Sequence, residues 1–271
     1  MKKLIYQYTN KETPDLDEEY QKCCYQSVQK YAEKIGADYK LYRVPFYVYK
    51  DFCDPHYGIF YPFMEELNFI NQYDKICFLD YDMLVTVNAP DVFLESDASI
   101  VGCYNLTTFN TLSERMHDFW QDSFIELLKI IQFPSVTTNT GLVIWDKRIF
   151  KTFKSWLEEN WQYWHKRYWF DDDEEWQQIV RQMGGKNDQT MIVTFIRDML
   201  SEQFRKEYDN TFPFTEHLDN RYNWRLNKFD FETRFDAYII HYMDHYSENL
   251  FVKTEYDKII PDEFKNEIIL K

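Results

Sequence analysis

Glycine is scarce. The 271 residues contain only 6, which argues against a glycine-rich phosphate-cradling loop. Positive charge is also short: 31 Lys and Arg stand against 46 Asp and Glu, for a net charge of −15. Such a surface repels nucleic-acid phosphates, so no nucleic-acid partner is expected. No apolar run approaches the roughly 20 residues of a membrane span. The start Met1-Lys2-Lys3-Leu4-Ile5-Tyr6 holds too short an apolar stretch for a signal peptide. The five cysteines are odd in number and form no C-x-x-C, which fits reduced thiols in a reducing, cytoplasmic setting. Aromatics, by contrast, are abundant: 22 Tyr, 23 Phe and 8 Trp make up 20% of the chain.

Asp80-Tyr81-Asp82 is the most informative segment. It follows a short apolar run, Ile76-Cys77-Phe78-Leu79, which reads as a buried strand. Alternation along that strand would place both carboxylates on one face, where they can reach one cation. Hard divalent ions take oxygen ligands, often one or two carboxylates together with substrate phosphates. Open α/β sheets also bind ligands at the carboxyl ends of their strands. A protein this acidic needs a metal to handle a phosphorylated ligand. The plainer reading is two solvated acids in a turn.

Strands and helices alternate along the chain. Leu4–Tyr8 reads as a strand, Asp17–Ala37 as a helix ending near Gly36, and Tyr39–Val44 as a strand. Phe60–Gln72 reads as one helix with Phe63, Leu67 and Ile70 on a side, and Asn88–Asp91 as a turn. Further strands fall at Ser99–Cys103, Leu142–Trp145 and Ala237–Ile240; helices fall at Ser113–Ile131, Arg148–Trp164 and Gln189–Leu200. The pattern predicts an α/β fold in a single domain over 1–271. Its sheet should be mixed, mostly parallel and flanked by helices.

Several smaller features could carry chemistry. Asn139-Thr140-Gly141 precedes a strand; its amide and hydroxyl suit sugar hydroxyls, and Gly141 permits close backbone approach, but an ordinary turn would look the same. Asp188-Gln189 starts a helix, where Asp188 can be a cap or can face a reacting carbon. His241 follows Ile239-Ile240 at a strand end, and its imidazole suits Mn²⁺ better than Mg²⁺; His245 is an alternative, and a lone His is often structural. The acid run Asp171–Glu175 reads as a solvated loop. Trp156, Trp161, Trp164, Trp169 and Trp176 read as core rings, with an acceptor platform as the alternative.

Taken in order, these pieces resemble the glycogenin-like retaining glycosyltransferases, family 8, of the GT-A fold. The stretch Gln72–Val85 is similar to that family's strand and D-x-D segment, and Asn88-Ala89-Pro90-Asp91-Val92-Phe93 to the turn that follows it. Asn139-Thr140-Gly141, Asp188-Gln189 and His241 stand where the family carries an Asn-small-Gly, an Asp-Gln helix start and a late histidine. The family's late Gly and Lys-Pro-Trp are not matched after His241; Arg221, Arg225 and Lys253 are the cations from which a substitute could come.

The resemblance implies a GT-A-type nucleotide-diphospho-sugar transferase in which the part from about 200 to 271 closes the active site. Asp80, Asp82 and His241 would hold Mn²⁺ (or Mg²⁺). Tyr8, Thr9 and Tyr81 would line the nucleotide pocket, and Asn139, Thr140 and Gly141 would meet the donor. Asp188 and Gln189 would act at the reacting centre. The donor would be a UDP-linked hexose, the acceptor a carbohydrate, and the outcome retention. Two rivals remain: a haloacid dehalogenase-type phosphatase with Asp80 as nucleophile, and a non-catalytic sugar-binding protein.

Overall fold

The computed structural model describes residues 1–9, 19–43, 48–49, 52–53, 55–104, 138–169, 188–199, 215–225 and 236–241. The expected helix Ser113–Ile131, the acid run Asp171–Glu175, and Trp176, His245 and Lys253 lie outside these residues. So do Asp17, most of the segment from 200 to 271, and the side chains of Trp164, Trp169, Gln189 and Arg225.

The fold is α/β, with helices flanking a mixed sheet. Its strands are β1 (Lys3–Thr9), β2 (Asp38–Arg43), β5 (Lys75–Leu79), β7 (Ile100–Tyr104), β8 (Thr138–Asp146) and β9 (Thr215–Leu218). They lie in the order β2-β1-β5-β8-β7-β9. β8 runs antiparallel to both its neighbours, and the other three pairings are parallel. A short hairpin, β3 (Val48–Tyr49) with β4 (Phe52–Cys53), stands apart.

Strand alternation builds a core on each face of this sheet. Leu4, Tyr6, Tyr8, Ile76, Phe78, Val143 and Trp145 join one buried cluster. Their in-between neighbours Ile5, Cys77, Leu79, Leu142 and Ile144 join another. With both faces covered, the central strands are apolar throughout rather than alternating.

Over the first face lie α2 (Tyr61–Glu65), α3 (Leu67–Ile70), α4 (Lys147–Trp169) and α5 (Asp188–Met199). From α4, Ile149, Phe150, Phe153, Trp156, Leu157 and Trp161 form a helical stripe into that core. Phe153 is its hub: its ring stacks on Trp145 at 4.5 Å and meets Phe195 edge-on at 4.7 Å and Phe63 at 4.9 Å. Trp156 and Trp161 are therefore core rings. Over the second face lies α1 (Glu19–Ile35), which contributes Val28, Tyr31 and Ala32. Gly36, at φ +66°, ends it in a Schellman motif: the Ala37 N–H bonds to the Ala32 carbonyl and the Gly36 N–H to that of Glu33. Cys24, Cys77 and Cys103 are buried, and burial pushes the thiols of Cys77 and Cys103 upward.

Three local expectations are corrected. Phe60–Gln72 is not one helix, because Glu66 leaves helical geometry at φ −128° and ψ 31°. Its carboxylate accepts from Lys40 Nζ at 2.5 Å and Tyr42 Oη at 2.7 Å, anchoring the break to β2. The apolar stripe survives, since Phe63 and Ile70 are both fully buried. Asn139-Thr140-Gly141 is not a turn before a strand but lies within β8. There the pairing with β7 slips, from Gly102 opposite Val143 to Cys103 opposite Asn139, a bulge that re-aims side chains locally. Finally, β5 stops at Leu79. Asp80–Asp82 form a turn closed by the Met83 N–H on the Asp80 carbonyl at 3.2 Å. The chain then enters β6 (Met83–Val85) in a second, small sheet with β10 (Trp224–Arg225) and β11 (Ile239–His241).

Candidate metal centre

The small sheet explains how a residue so late in the chain reaches the aspartates. β6 starts immediately after Asp82, and β11 ends at His241. They pair antiparallel with Met83 directly opposite His241. The register therefore sets the imidazole beside the turn that carries both acids. Thr86 locks this pairing, its N–H bonding to the Tyr238 carbonyl at 2.9 Å and its hydroxyl to that of Ala237 at 3.0 Å.

The main chain of Asp80 is held from both sides. Its N–H bonds to the Gly141 carbonyl at 2.9 Å, and its own carbonyl accepts from the Gln7 side-chain amide at 2.9 Å. Gln7 is fully buried in β1, and its oxygen accepts from Tyr39 Oη at 2.9 Å.

Asp80, Asp82 and His241 can bring one ligand atom each to within 4.8 Å of one another. His241 Nε2 lies 3.3 Å from Asp82 Oδ1 and 3.6 Å from Asp80 Oδ2. Asp82 and His241 are buried, whereas Asp80 is partly open to solvent. Two carboxylates packed against one imidazole form a donor set suited to a divalent cation of the Mn²⁺ kind, with one ligand facing solvent. The set thus fits the implied metal.

Behind the imidazole is a chain of amides. His241 Nδ1 lies 2.9 Å from Asn223 Oδ1. Asn223 Nδ2 donates to Asn139 Oδ1 at 2.6 Å, and that same oxygen accepts the Gly141 N–H at 3.0 Å. Gly141 is needed for space: a Cβ there would lie 2.6 Å from Met83 Cε, 2.7 Å from His241 Cε1 and 2.9 Å from Asn139 Oδ1.

The other expected site residues lie on β1, the Asp80–Asp82 turn, β8 and α5. Tyr8 and Thr9 are both buried at the end of β1. The Tyr8 ring packs on Gly58, where a Cβ would come within 2.0 Å of it. Tyr81 is half-buried in the turn, and Thr140 is buried in β8. Asp188 is buried at the first position of α5; its charge adds to the upward push that burial exerts on the Tyr6 phenol. Gln189 is the next residue of that helix. Arg221 is committed elsewhere: it grips Asp219 through Nε and Nη2, both at 3.1 Å, and lies over the Tyr238 ring. Asn223 and Gln7 escaped sequence reasoning. Asn223 sits in a polar stretch with no periodicity to flag it, and Gln7 is a lone polar residue in an apolar strand.

No protein-family model matches the chain, and no functionally curated protein matches it. Solved structures do resemble it, at low identity. A glycosyltransferase involved in the glycosylation of the major capsid of PBCV-1 is 13% identical, with a TM-score of 0.48 over 95% of this chain and 98% of that one. LgtC, a galactosyltransferase solved with donor and acceptor sugar analogs, is 11% identical, with a TM-score of 0.45 over 98% and 99%. Mouse xyloside xylosyltransferase 1 is 12% identical, with a TM-score of 0.42 over 90% and 98%. All three scores fall below 0.5, so what the site can do is decided by this chain's own residues. No helix among the described residues is long and apolar enough to cross a membrane.

Proposed function

We propose that the chain is a single-domain, GT-A-type glycosyltransferase that moves a hexose from a UDP-linked sugar to a carbohydrate acceptor with retention, in a metal-dependent reaction. The observation that carries this reading is the convergence of Asp80, Asp82 and His241 from a turn and a distant strand. Carboxylates gathered around a buried imidazole at the carboxyl end of a sheet strand suit a cation that grips phosphate oxygens. These residues would hold Mn²⁺ (or Mg²⁺). Bound there, the cation supplies charge neutralisation for a departing nucleoside diphosphate.

The chain's own groups would do the rest. Asp80, the more open carboxylate, would be the one that a diphosphate reaches first. Tyr8, Thr9 and Tyr81 would border the nucleotide. Asn139 has its oxygen committed within the protein, so its amide nitrogen is what it can offer a sugar hydroxyl. Asp188 and Gln189, at the start of α5, would face the donor sugar, with the Asp188 carboxylate stabilising positive charge on the anomeric carbon. The segment from about 200 to 271, which supplies Asn223 and His241, would close the site.

A panel of nucleotide sugars, with and without Mn²⁺, read by release of free nucleoside diphosphate, tests this. Mn²⁺-dependent release from a UDP-hexose is expected, and its loss in Asp82→Ala. No release from any donor, together with hydrolysis of an aryl phosphate, would favour the phosphatase reading instead. Sugar binding without donor cleavage would favour a binding protein.

A further inference from the structure

We propose that Asn223, held by Asn139 and the Gly141 backbone N–H, is a positioning residue that fixes His241 in the Nδ1–H tautomer and aims its Nε2 lone pair at Asp80 and Asp82. The inference deepens the metal reading above and rests on it for its functional consequence. The tautomer itself follows from the hydrogen bonds alone.

A backbone N–H can only donate, so the Asn139 atom that meets Gly141 N at 3.0 Å must be oxygen. That oxygen can only accept, so the Asn223 atom 2.6 Å from it must be the amide nitrogen. Asn223 then turns its own oxygen to the imidazole at 2.9 Å. An amide oxygen also only accepts, so Nδ1 must carry the hydrogen. In the neutral ring this leaves Nε2 bare, and it is Nε2 that lies 3.3 Å from Asp82 and 3.6 Å from Asp80. A lone pair facing two carboxylates is repelled by them unless a cation lies between. The orientation of one peptide group in β8 thus propagates through two buried amides to the face of the imidazole that a metal would use.

The parts of this relay are built for it. Asn139, Asn223 and His241 are all at least nine-tenths buried. Asn223 directly follows a 3₁₀ turn, Asn220–Tyr222, whose N-terminus is capped by the Asp219 side chain on the Arg221 N–H at 2.8 Å. Gly141 gives both the donor and the space under the ring. The Asn139-Thr140-Gly141 motif therefore has a structural task toward His241, whatever it offers a sugar. Outer partners that orient a ligating histidine affect metal affinity by about 10–100-fold.

The test uses the metal-free full chain, with histidine nitrogens labelled and held above the ordinary histidine range. Two-bond proton–nitrogen correlations report the tautomer, with His241 assigned by its loss in His241→Gln. The wild type should show hydrogen on Nδ1 in the metal-free chain, and Nε2 bare once Mg²⁺, which is diamagnetic, is added. Asn223→Leu should lose that pattern, and Asn139→Asp, which keeps both acceptor roles, should retain it. Mn²⁺ titration by calorimetry should show binding about 10–100-fold weaker in Asn223→Leu. An Nε2–H tautomer in the wild type would overturn the proposal, even if no variant folds. So would unchanged Mn²⁺ affinity in a folded Asn223→Leu. An Nδ1–H wild type that takes up no Mn²⁺ would support the relay and overturn the metal reading alone.

Discussion

Replacing Gly141 by alanine should damage the centre without touching any ligand. The added methyl would meet three buried groups at 2.6, 2.7 and 2.9 Å: the Met83 methyl, the edge of His241 and the Asn139 oxygen. Ordinary carbon contacts begin near 3.5 Å, so each neighbour must retreat by about half an ångström or more. None can do so freely. Met83 is fully buried and pairs with His241 across the small sheet; the imidazole is tied to Asn223; and the Asn139 oxygen is held by the residue being changed. Overpacking of this kind costs about 1–3 kcal/mol. In a chain of this size that lowers the thermal midpoint by roughly 2–4 °C per kcal/mol. Because part of the displacement falls on the imidazole, Mn²⁺ affinity should drop as well. Differential scanning calorimetry and Mn²⁺ titration on the same preparation read both. An unchanged midpoint with unchanged Mn²⁺ affinity would refute the packing argument.

Further predictions follow from the same geometry. Phe153→Ala removes the hub of the aromatic core and should cost about 3–5 kcal/mol in urea unfolding; a loss under about 1 kcal/mol would contradict its central place. Asp219→Asn weakens the cap in front of Asn223. Hydrogen bonds from the Arg221 side chain and backbone hold the Asp219 carboxyl below its ordinary 3.8. Since the folded value is the lower one, this stabilisation is present above the unfolded value and lost as pH falls through the folded value. The stability gap between wild type and Asp219→Asn should therefore narrow on acidification below about pH 4; a gap constant down to pH 2 would count against the cap. Asp82→Ala should unfold like the wild type yet lose turnover by a factor of about 10³ or more, the worth of several kcal/mol of charge neutralisation. Full turnover in that variant would reject the site.

The layout of the fold was legible in the sequence because its central strands are apolar on both faces and its long helices carry clear stripes. The Leu4–Tyr8, Ile76–Leu79 and Leu142–Trp145 runs all lie within strands, and α4 and α5 begin within one residue of their expected starts. What was hidden depends on tertiary contacts. The break at Glu66 comes with bonds to Lys40 and Tyr42 on another strand, which no helical period can report. The two- and three-residue strands of the small sheet are too short to show alternation. Strand alternation placed Asp80 and Asp82 on one face, whereas a turn gathers them and the register of β6 with β11 delivers His241. Asn223 became visible only once its bonds to His241 and Asn139 could be traced.

The central claim is that two aspartates and one histidine form a divalent cation site that receives a nucleoside diphosphate. Calorimetric titration of the full chain with Mn²⁺, then with UDP in its presence and absence, tests it most directly. One Mn²⁺ should bind the wild type, UDP binding should strengthen when Mn²⁺ is present, and both effects should vanish in Asp82→Ala. Uptake of neither ligand by the folded wild type, or undiminished uptake by Asp82→Ala, would contradict it.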